Sequence, residues 1–507
     1  MTRRAAIGGL LLLAAAVVLV AVADWSTAVS DQLLFGAVAL GAFCGGLLAL
    51  MSAVAGYDGL GLRAWRIGPW SLAYGAFAFG LATISWVGPQ TGTAGQILPR
   101  SVLRALWLIA VAMTLFAIGY CVVPRVARSF GRQVNGILAA RFTDEVRGPG
   151  VPWILFGAGA AGQLGVAVTS GHLGYVGLGA TPQAAVAGYS QFLALLGECV
   201  PLAVAVAALR AYRTRRPSAW ATLAVLFAGA IVAGAVAGGK TSFLVAVLAA
   251  AIPRTMVRGR IPAGLLAATV AFFLLVVIPF NQDYRAVARG EVMLSTRQAV
   301  AAAPAIAGQV LASDLSPAVL VQSADYLAQR IRTIDSPAII MQRTPGQIPY
   351  SSPGQLAVSP VIDLVPRILW PGKPVLNVGY QMSQEYYQLP PQVYTSSAIT
   401  PEGDLYRHGG WVVLIAGMFL LGCAARLVDE VADLRRGAHG MFLIILLFPG
   451  LVQAATDCAT LLAGIPATAL LWLGAVALSF RRRGVPTATG GPAQSPPVRS
   501  RSLSSLA

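Results

Sequence analysis

The sequence predicts an all-α polytopic membrane protein, with about twelve spanning helices and one large, mostly helical extracytoplasmic loop. Three observations predict it. Hydrophobic residues make up 57% of the 507-residue chain and charged residues 11%, with a mean hydropathy of +0.71; so little charge cannot cover a soluble protein of this size. Apolar runs of spanning length recur along the chain. Arginines gather in alternate connections between those runs.

The runs fall at 5–23, 33–55, 69–87, 103–123, 151–168, 189–209, 219–236, 241–252, 261–280, 410–427, 440–455 and 461–480. The eighth is short for a full span, which implies tilt or extension beyond its apolar core. The first has basic flanks, but Val20-Ala21-Val22-Ala23 makes a poor cleavage site, so it is read as a retained span rather than a signal peptide.

Every even-numbered connection is basic. Arg63 and Arg66 follow the second span; Arg125, Arg128, Arg132, Arg141 and Arg147 the fourth; Arg210, Arg213, Arg215 and Arg216 the sixth. Arg254, Arg258 and Arg260 follow the eighth, Arg426, Arg435 and Arg436 the tenth, and Arg481 to Arg483 the twelfth. With Arg3 and Arg4 ahead of the first span, the pattern places both termini in the cytoplasm. Arg100 and Arg104, at the outer start of the fourth span, are the exception. The net charge of +17 is thus mostly a topology signal, and without a basic face on a soluble fold nucleic acid is not an expected partner.

The organisation follows: 1–280 holds spans one to nine, 281–409 an extracytoplasmic loop or cap, 410–480 spans ten to twelve, and 481–507 a disordered cytoplasmic tail of Gly, Pro, Ser and Arg. Acidic and basic residues balance within the loop, so it is read as a folded cap. Helices are expected over 295–312 and 317–334, and irregular chain over the Pro-, Gly- and aromatic-rich stretch 345–391. A long ordered loop of this kind is usually functional.

Gly234 to Thr241 reads G-x-x-x-x-G-K-T, the pattern of a phosphate-cradling P-loop. It lies in an outer connection between two spans, where there is neither an ATP pool nor a preceding strand, so an ATPase is excluded. A glycine-opened turn with Lys240 before a helix N-terminus suits an anion, and equally a tight turn whose lysine snorkels to headgroups. Lys240 and Lys373 are the chain's two lysines, and both fall on the outer side.

Cys44, Cys121, Cys199 and Cys423 lie inside spans and Cys458 near an outer end, while the loop has no cysteine and is no disulfide scaffold. His172, His408 and His439 are dispersed, and no Cys/His cluster has zinc spacing. No metal site and no cofactor is expected.

"LVPRILWPGKPVLNVGY", Leu364 to Tyr380, resembles the Pro-Arg-x-x-Trp-Pro-x-Lys-Pro motif of Wzy-type O-antigen and exopolysaccharide repeat-unit polymerases. "SSAITPEGDLYRHGGWVVLIAGMFLLG", "NQDYRAVARGE" and "GGKTSFL" are similar to that family's segments at corresponding places, so the resemblance spans 234–422. Where the family reads Gly-Glu-x-Tyr-x-Asn-Phe-Gly, this chain has Gly403-Asp404-Leu405-Tyr406-Arg407-His408-Gly409.

The resemblance implies a GT-C-like architecture and a glycosyltransferase at the outer face of the cytoplasmic membrane. It would polymerise oligosaccharide repeat units carried on undecaprenyl diphosphate. Membrane lipids, and a flippase and chain-length regulator of the same pathway, are the implied partners. A departing lipid diphosphate needs fixed cations, for which Lys240, Arg285, Arg289, Arg367 and Lys373 are the candidates, with Trp370 and Tyr406 for the glycan. The acceptor hydroxyl needs a base, for which Glu402, Asp404 and His408 are the candidates. Each has a plainer alternative. Arg285 and Arg289 stand where interfacial anchors stand, Arg367 and Lys373 can pair with Asp363 or Glu385, and Trp370 can be an interfacial aromatic. Glu402, Asp404 and His408 can simply tie down the loop. Asp457, an ionisable group close to lipid, also draws attention.

Two other functions are weighed. A transporter or flippase wants charges along a central path and an inverted repeat, and neither is visible. A transferase adding one sugar from a polyprenyl monophosphate donor would carry an acidic site in the first outer loop, where Asp24 and Asp31 lie.

The arginine alternation predicts that single cysteines placed in 281–409, in a cysteine-free background, react with impermeant thiol reagents in intact cells. Protected loop sites together with a labelled tail after Arg483 would reverse the topology.

Overall fold

The computed structural model describes residues 2–56, 61–170, 190–237, 240–288, 296–312, 317–365, 369–370, 372–373, 378–390, 396–452 and 456–483. In its first half α1 (Thr2–Trp25), α2 (Val29–Ala55), α3 (Ile67–Gly75), α4 (Pro99–Val122), α5 (Arg125–Arg141), β1 (Phe142–Val146), α6 (Val151–Ser170), α7 (Ser190–Gly197), α8 (Cys199–Thr214), α9 (Pro217–Val236) and α10 (Lys240–Arg258) follow one another. Then come α11 (Ala263–Phe272), α12 (Ile278–Ala288), α13 (Thr296–Ala312), α14 (Pro317–Ile331), α15 (Asp335–Arg343), α16 (Pro353–Leu364) and α17 (Val378–Gln381). The chain closes with α18 (Pro401–Arg407), α19 (Gly410–Val431), α20 (His439–Val452), α21 (Cys458–Ser479) and β2 (Phe480–Arg482). Single π-helical turns continue α3 at Ala76–Gly80 and join α11 to α12 at Phe273–Val277.

Among the described residues, 11 helices are long and apolar enough to cross a membrane. Large apolar side chains such as Leu11, Val17, Val168, Val232 and Leu470 are exposed on them, as a lipid-facing surface requires. The protein is an all-α multi-pass membrane protein. The count differs from twelve at α20, whose 14 residues rise only about 21 Å against a hydrocarbon core of roughly 30 Å. Residues 453–455, which follow it, lie outside the described residues, and Glu402 of α18, whose seven residues are all buried, lies beside Leu451 and Val452. The eighth span is longer than its apolar core, running from Thr241 to Arg258 through Pro253.

Two cores hold the bundle. One surrounds α8, where Leu202 to Leu209 are essentially fully buried, against α6, α9, α10, α20 and α21. From Leu202 to Leu209 that helix is apolar on every face, and its alanines let neighbours approach on all sides. The other surrounds α4 and gathers α2, α3, α15, α18 and α19. At its centre α4 and α19 nearly touch backbone to backbone. A Cβ on Gly119 would stand 2.1 Å from the carbonyl oxygen of Phe419, and one on Gly422 would stand 2.1 Å from that of Phe116. Only glycine fits either place.

Three features depart from the sequence reading. The arginine-rich segment after the fourth span is a helix, α5, whose Asn135 donates to the carbonyls of Glu430, Val431 and Asp433 at the end of α19. The stretch expected to be irregular contains α16, started by Ser352, whose Oγ accepts from the Gly354 N–H. Arg481 and Arg482, expected in the tail, belong to β2, which pairs antiparallel with β1; the tail from 484 lies outside the described residues. The loop helices end close to expectation, at Ala312 and Ile331.

Gly422→Val is expected to destabilise the purified protein by about 3 kcal/mol, because the obstacle is backbone and not a side chain that can turn away. Gly157→Ala, with open space around its Cβ position, should leave the melting temperature unchanged or slightly raised. Equal melting temperatures for the two variants would remove the α4–α19 contact from its central place.

Candidate functional site at the junction of loop and bundle

The junction is built on α18. Thr400 caps it, its Oγ1 accepting from the Gly403 N–H at 3.2 Å, and Pro401 supplies the first-turn φ without wasting a donor. Glu402 and Asp404 then fall in the first turn, where the helix dipole favours carboxylates. The helix therefore starts abruptly and presents two acids one turn before Arg407 and His408.

Asp404 is completely buried and fully engaged. Its Oδ1 accepts from Arg407 Nε at 3.2 Å and Nη2 at 2.8 Å, and lies 3.5 Å from His408 Nε2. Its Oδ2 accepts from the Cys458 N–H at 2.9 Å, at the very start of α21. Burial pushes this carboxyl up, but the neighbouring His408 and Arg407 outweigh it and hold the group below the usual carboxylate range. His408 Nδ1 lies 3.0 Å from the Ser352 carbonyl oxygen. A carbonyl only accepts, so Nδ1 carries the proton and Nε2 is turned toward Arg407 and Asp404. The Ser351 N–H donates to the Arg407 carbonyl, so residues 351–352 are stitched along the end of α18.

Glu402 is the opposite case. It is buried, and its Oε2 has no hydrogen-bond partner. It faces a cavity of about 30 Å³ whose lining includes Ser71, Tyr74, Phe79, Phe116 and Met418. That is room for a single water. Burial pushes its carboxyl up to about 7, against the smaller opposing effect of hydrogen bonds from its backbone and Thr400. Two neighbouring acids are thus driven apart, one held ionised and one titrating near neutrality.

Tyr406 packs edge-on against both Tyr350 and Trp411, with ring centroids 6.1 and 5.9 Å apart. Tyr350 and Trp411 are about two-fifths exposed and form the open side of the junction. Burial and the Tyr350 hydroxyl push the Tyr406 phenol up to about 12, and the nearby Arg104 guanidinium pulls the other way.

The structure therefore brings Glu402, Asp404, His408 and Tyr406 together on one short helix. Trp370 and Lys373 belong to another turn, in which the Lys373 N–H donates to the Trp370 carbonyl. Trp370 points out, 40% exposed, while Lys373 is folded back and buried, with Nζ donating to the Val365 carbonyl at 3.3 Å. Lys240 opens α10 and Arg285 lies within α12, but their side chains fall outside the described residues, as do Arg289 and Arg367 entirely. Asp457 is a helix cap, its Oδ1 accepting from the Thr460 N–H.

Sequence reasoning missed two groups. Arg104 was visible only as an exception to the arginine alternation, which was its signal. The other is a clamp: Arg332 donates to Asp335, Ser85 and Gln90, lies over the Trp86 ring at 4.9 Å, and shares Asp335 with the Trp86 indole N–H. It fixes the segment between α12 and α19 to the Leu81–Val87 end of the third span, and nothing in its spacing announces it. Among the described residues, no group of three or more His, Cys, Asp or Glu is placed to hold a metal ion.

Fold and site together define a polytopic helical membrane protein with a structured loop locked into its bundle through a buried Asp–Arg–His cluster. The chain belongs to the family described as Domain of unknown function (DUF8712), whose model matches residues 175–457, from before α7 to the cap of α21. No curated protein and no solved structure matches it.

Glu402 generates a pH prediction. A carboxyl whose folded-state value of about 7 exceeds the ordinary 4.5 binds its proton more tightly when folded. Its contribution to stability is therefore complete below about 4.5, declines as pH rises, and is lost above about 7. In detergent, Glu402→Gln should match the wild-type melting temperature near pH 5 and exceed it at pH 8, by on the order of 3 kcal/mol at most. An advantage for the wild type that grows with pH would mean that the carboxyl is stabilised in its ionised form.

Proposed function

We propose that this protein is a glycosyltransferase that polymerises undecaprenyl-diphosphate-linked oligosaccharide repeat units into a surface polysaccharide at the outer face of the cytoplasmic membrane. The observation that carries the reading is the turn at 369–373, within the motif that resembles repeat-unit polymerases. It sets an exposed Trp370 against a Lys373 turned back into the protein. An indole face suits a sugar ring, and fixed cations suit a departing diphosphate. On this reading Arg367 takes the developing charge of the leaving lipid diphosphate, Lys373 joins it once its turn opens from the Val365 carbonyl, and Tyr350, Tyr406 and Trp411 offer an aromatic wall to the glycan. Glu402, Asp404 and His408 are all buried as arranged. In this closed junction they act as positioning residues, and access of an acceptor hydroxyl to His408 requires the 351–352 seam to open.

A second reading keeps the lipid carrier but transfers one sugar from a polyprenyl monophosphate donor. It is favoured by Asp24, which stands at the rim of a cavity of about 700 Å³ between α1, α2 and α4. Deleting the gene separates the two. A polymerase leaves single repeat units accumulated on lipid and at the surface, whereas a single-sugar transferase leaves polymer of normal length that lacks one residue per repeat.

In cells, Arg367→Ala and Lys373→Ala are each expected to reduce polymer formation by about 10²–10³-fold while folded protein yield stays near wild type. Arg367→Lys should restore little, because an ammonium does not reproduce a guanidinium fork. Near-normal polymer from a well-folded double variant would remove these cations from the mechanism.

A further inference from the structure

Between α1, α2 and α4 lies a cavity of about 700 Å³, far larger than the one beside Glu402. Its walls are apolar, with Val17, Leu40, Phe43, Leu106, Trp107 and Leu115 among them. The polar lining residues are few. Thr114 at the deep end spends its hydroxyl on the Ala110 carbonyl of its own helix. Asp24 and Gln32 stand at the opposite end, and Gln32 donates to the Ser26 carbonyl. The lining runs along α4 from Leu103 to Leu115, roughly 18 Å at about 1.5 Å per residue. It takes in only the halves of α1 and α2 next to their connecting turn, Ala16 to Asp24 and Gln32 to Phe43. The cavity therefore covers one leaflet of the bilayer, whose hydrocarbon half is roughly 15 Å thick, and opens at the leaflet's headgroup level.

Charge at that opening is divided. Asp24 and Asp31 lie on the α1–α2 side, with Asp31 accepting from the Ser26 hydroxyl. Arg100 and Arg104 lie on the α4 side, both exposed. Arg100, Leu103 and Trp107 follow i, i+3, i+7 spacing, so Arg100 continues the cavity-facing stripe of α4 one turn beyond the last apolar residue. These are the two arginines that break the alternation of basic connections; a topology signal does not account for them, and a phosphate at the cavity mouth does.

We propose that this cavity holds the hydrocarbon tail of a polyprenyl diphosphate, with the diphosphate on Arg100 and Arg104 at its mouth. The identity of the chain rests on the polymerase reading; the place and polarity of the site rest on the cavity and the two arginines. The acidic side repels the diphosphate, which sets it on α4, next to Tyr406 and the loop junction. An ordinary anionic phospholipid is the competing occupant.

The test is native mass spectrometry of the full-length protein in detergent, titrated with undecaprenyl diphosphate or with dioleoylphosphatidylglycerol. Undecaprenyl diphosphate is expected to bind in preference. Filling the cavity with Ala110→Trp, or removing the charges with an Arg100→Ala, Arg104→Ala pair, should each weaken its binding by about tenfold or more. If Ala110→Trp does not fold, the paired variant carries the test, since both of its residues are exposed. Undecaprenyl diphosphate binding unchanged by the paired variant, or displacement of it by an equal concentration of phosphatidylglycerol, overturns the proposal. Loss of binding in the variants alongside normal polymer in a gene deletion would sustain this site and reject the polymerase reading. Accumulated repeat units in the deletion alongside unaffected binding in the variants would do the reverse.

Discussion

A single carboxylate sets the geometry of the whole junction. Asp404 is withdrawn completely from solvent, which an ionised group tolerates only when donors replace its lost water. Here the donors come from two directions, the Arg407 fork and the Cys458 N–H, with the His408 ring 3.5 Å from the same oxygen that Arg407 holds. The last of these is one of the orphan amides at a helix start, so the acid that holds α18 also caps α21. Through Arg407 and His408 the same charge fixes residues 351–352, and through them the start of α16. Removing the carboxylate would leave a buried guanidinium and an unpaired Cys458 N–H at one stroke.

The same device recurs at the far end of α19. Asp429 accepts from the N–H groups of Ile67 and Gly68, which begin α3, and from the Tyr120 hydroxyl near the end of α4. Arg426 pairs with Glu430 and lies over the Tyr120 ring, and Asn135 of α5 takes up the carbonyls where α19 ends. Helix α19 is thus preceded by one buried acid and ends near another, each capping a different helix, with the Gly119–Gly422 contact between them. Buried polar groups in a membrane bundle are costly, and these are placed where helix ends already need partners. A loop that works at a membrane face requires a frame of this rigidity.

The span pattern was legible because it rests on composition and periodicity, which burial in lipid enforces residue by residue. What escaped the sequence had specific causes. Helix α5 was hidden because an amphipathic helix with four arginines reads first as a charged connection. Helix α16 was hidden because Pro353 and Pro360 read as breakers, although the first sits at a helix start where proline is at home. Asp429 escaped because the apolar run ends two residues before it, so it was counted with the connection. The site was legible in part. The clustering of Glu402, Asp404, Tyr406 and His408 follows from their spacing on one helix, whereas their burial does not. The opposite behaviour of the two acids arises from partners at Arg407 and Cys458 for one and an apolar cavity for the other.

Helix α4 connects these parts. One stripe of it, Leu103, Leu106 and Trp107, lines the large membrane cavity, while Gly119 lies against α19. Its first turn is tied to the cap: the Leu98 N–H donates to Gln342 Oε1, and Gln342 Nε2 donates to the Gln96 carbonyl. Its Arg104 lies within electrostatic reach of Tyr406 on α18. A chain lying in that cavity is therefore measured against a helix that is fixed to the loop at one end and to the bundle's spine at the other. On the proposed function, the depth at which a headgroup emerges would be set by α4 and not by the loop, which would leave the loop free to vary its contacts with a glycan without losing register with the lipid.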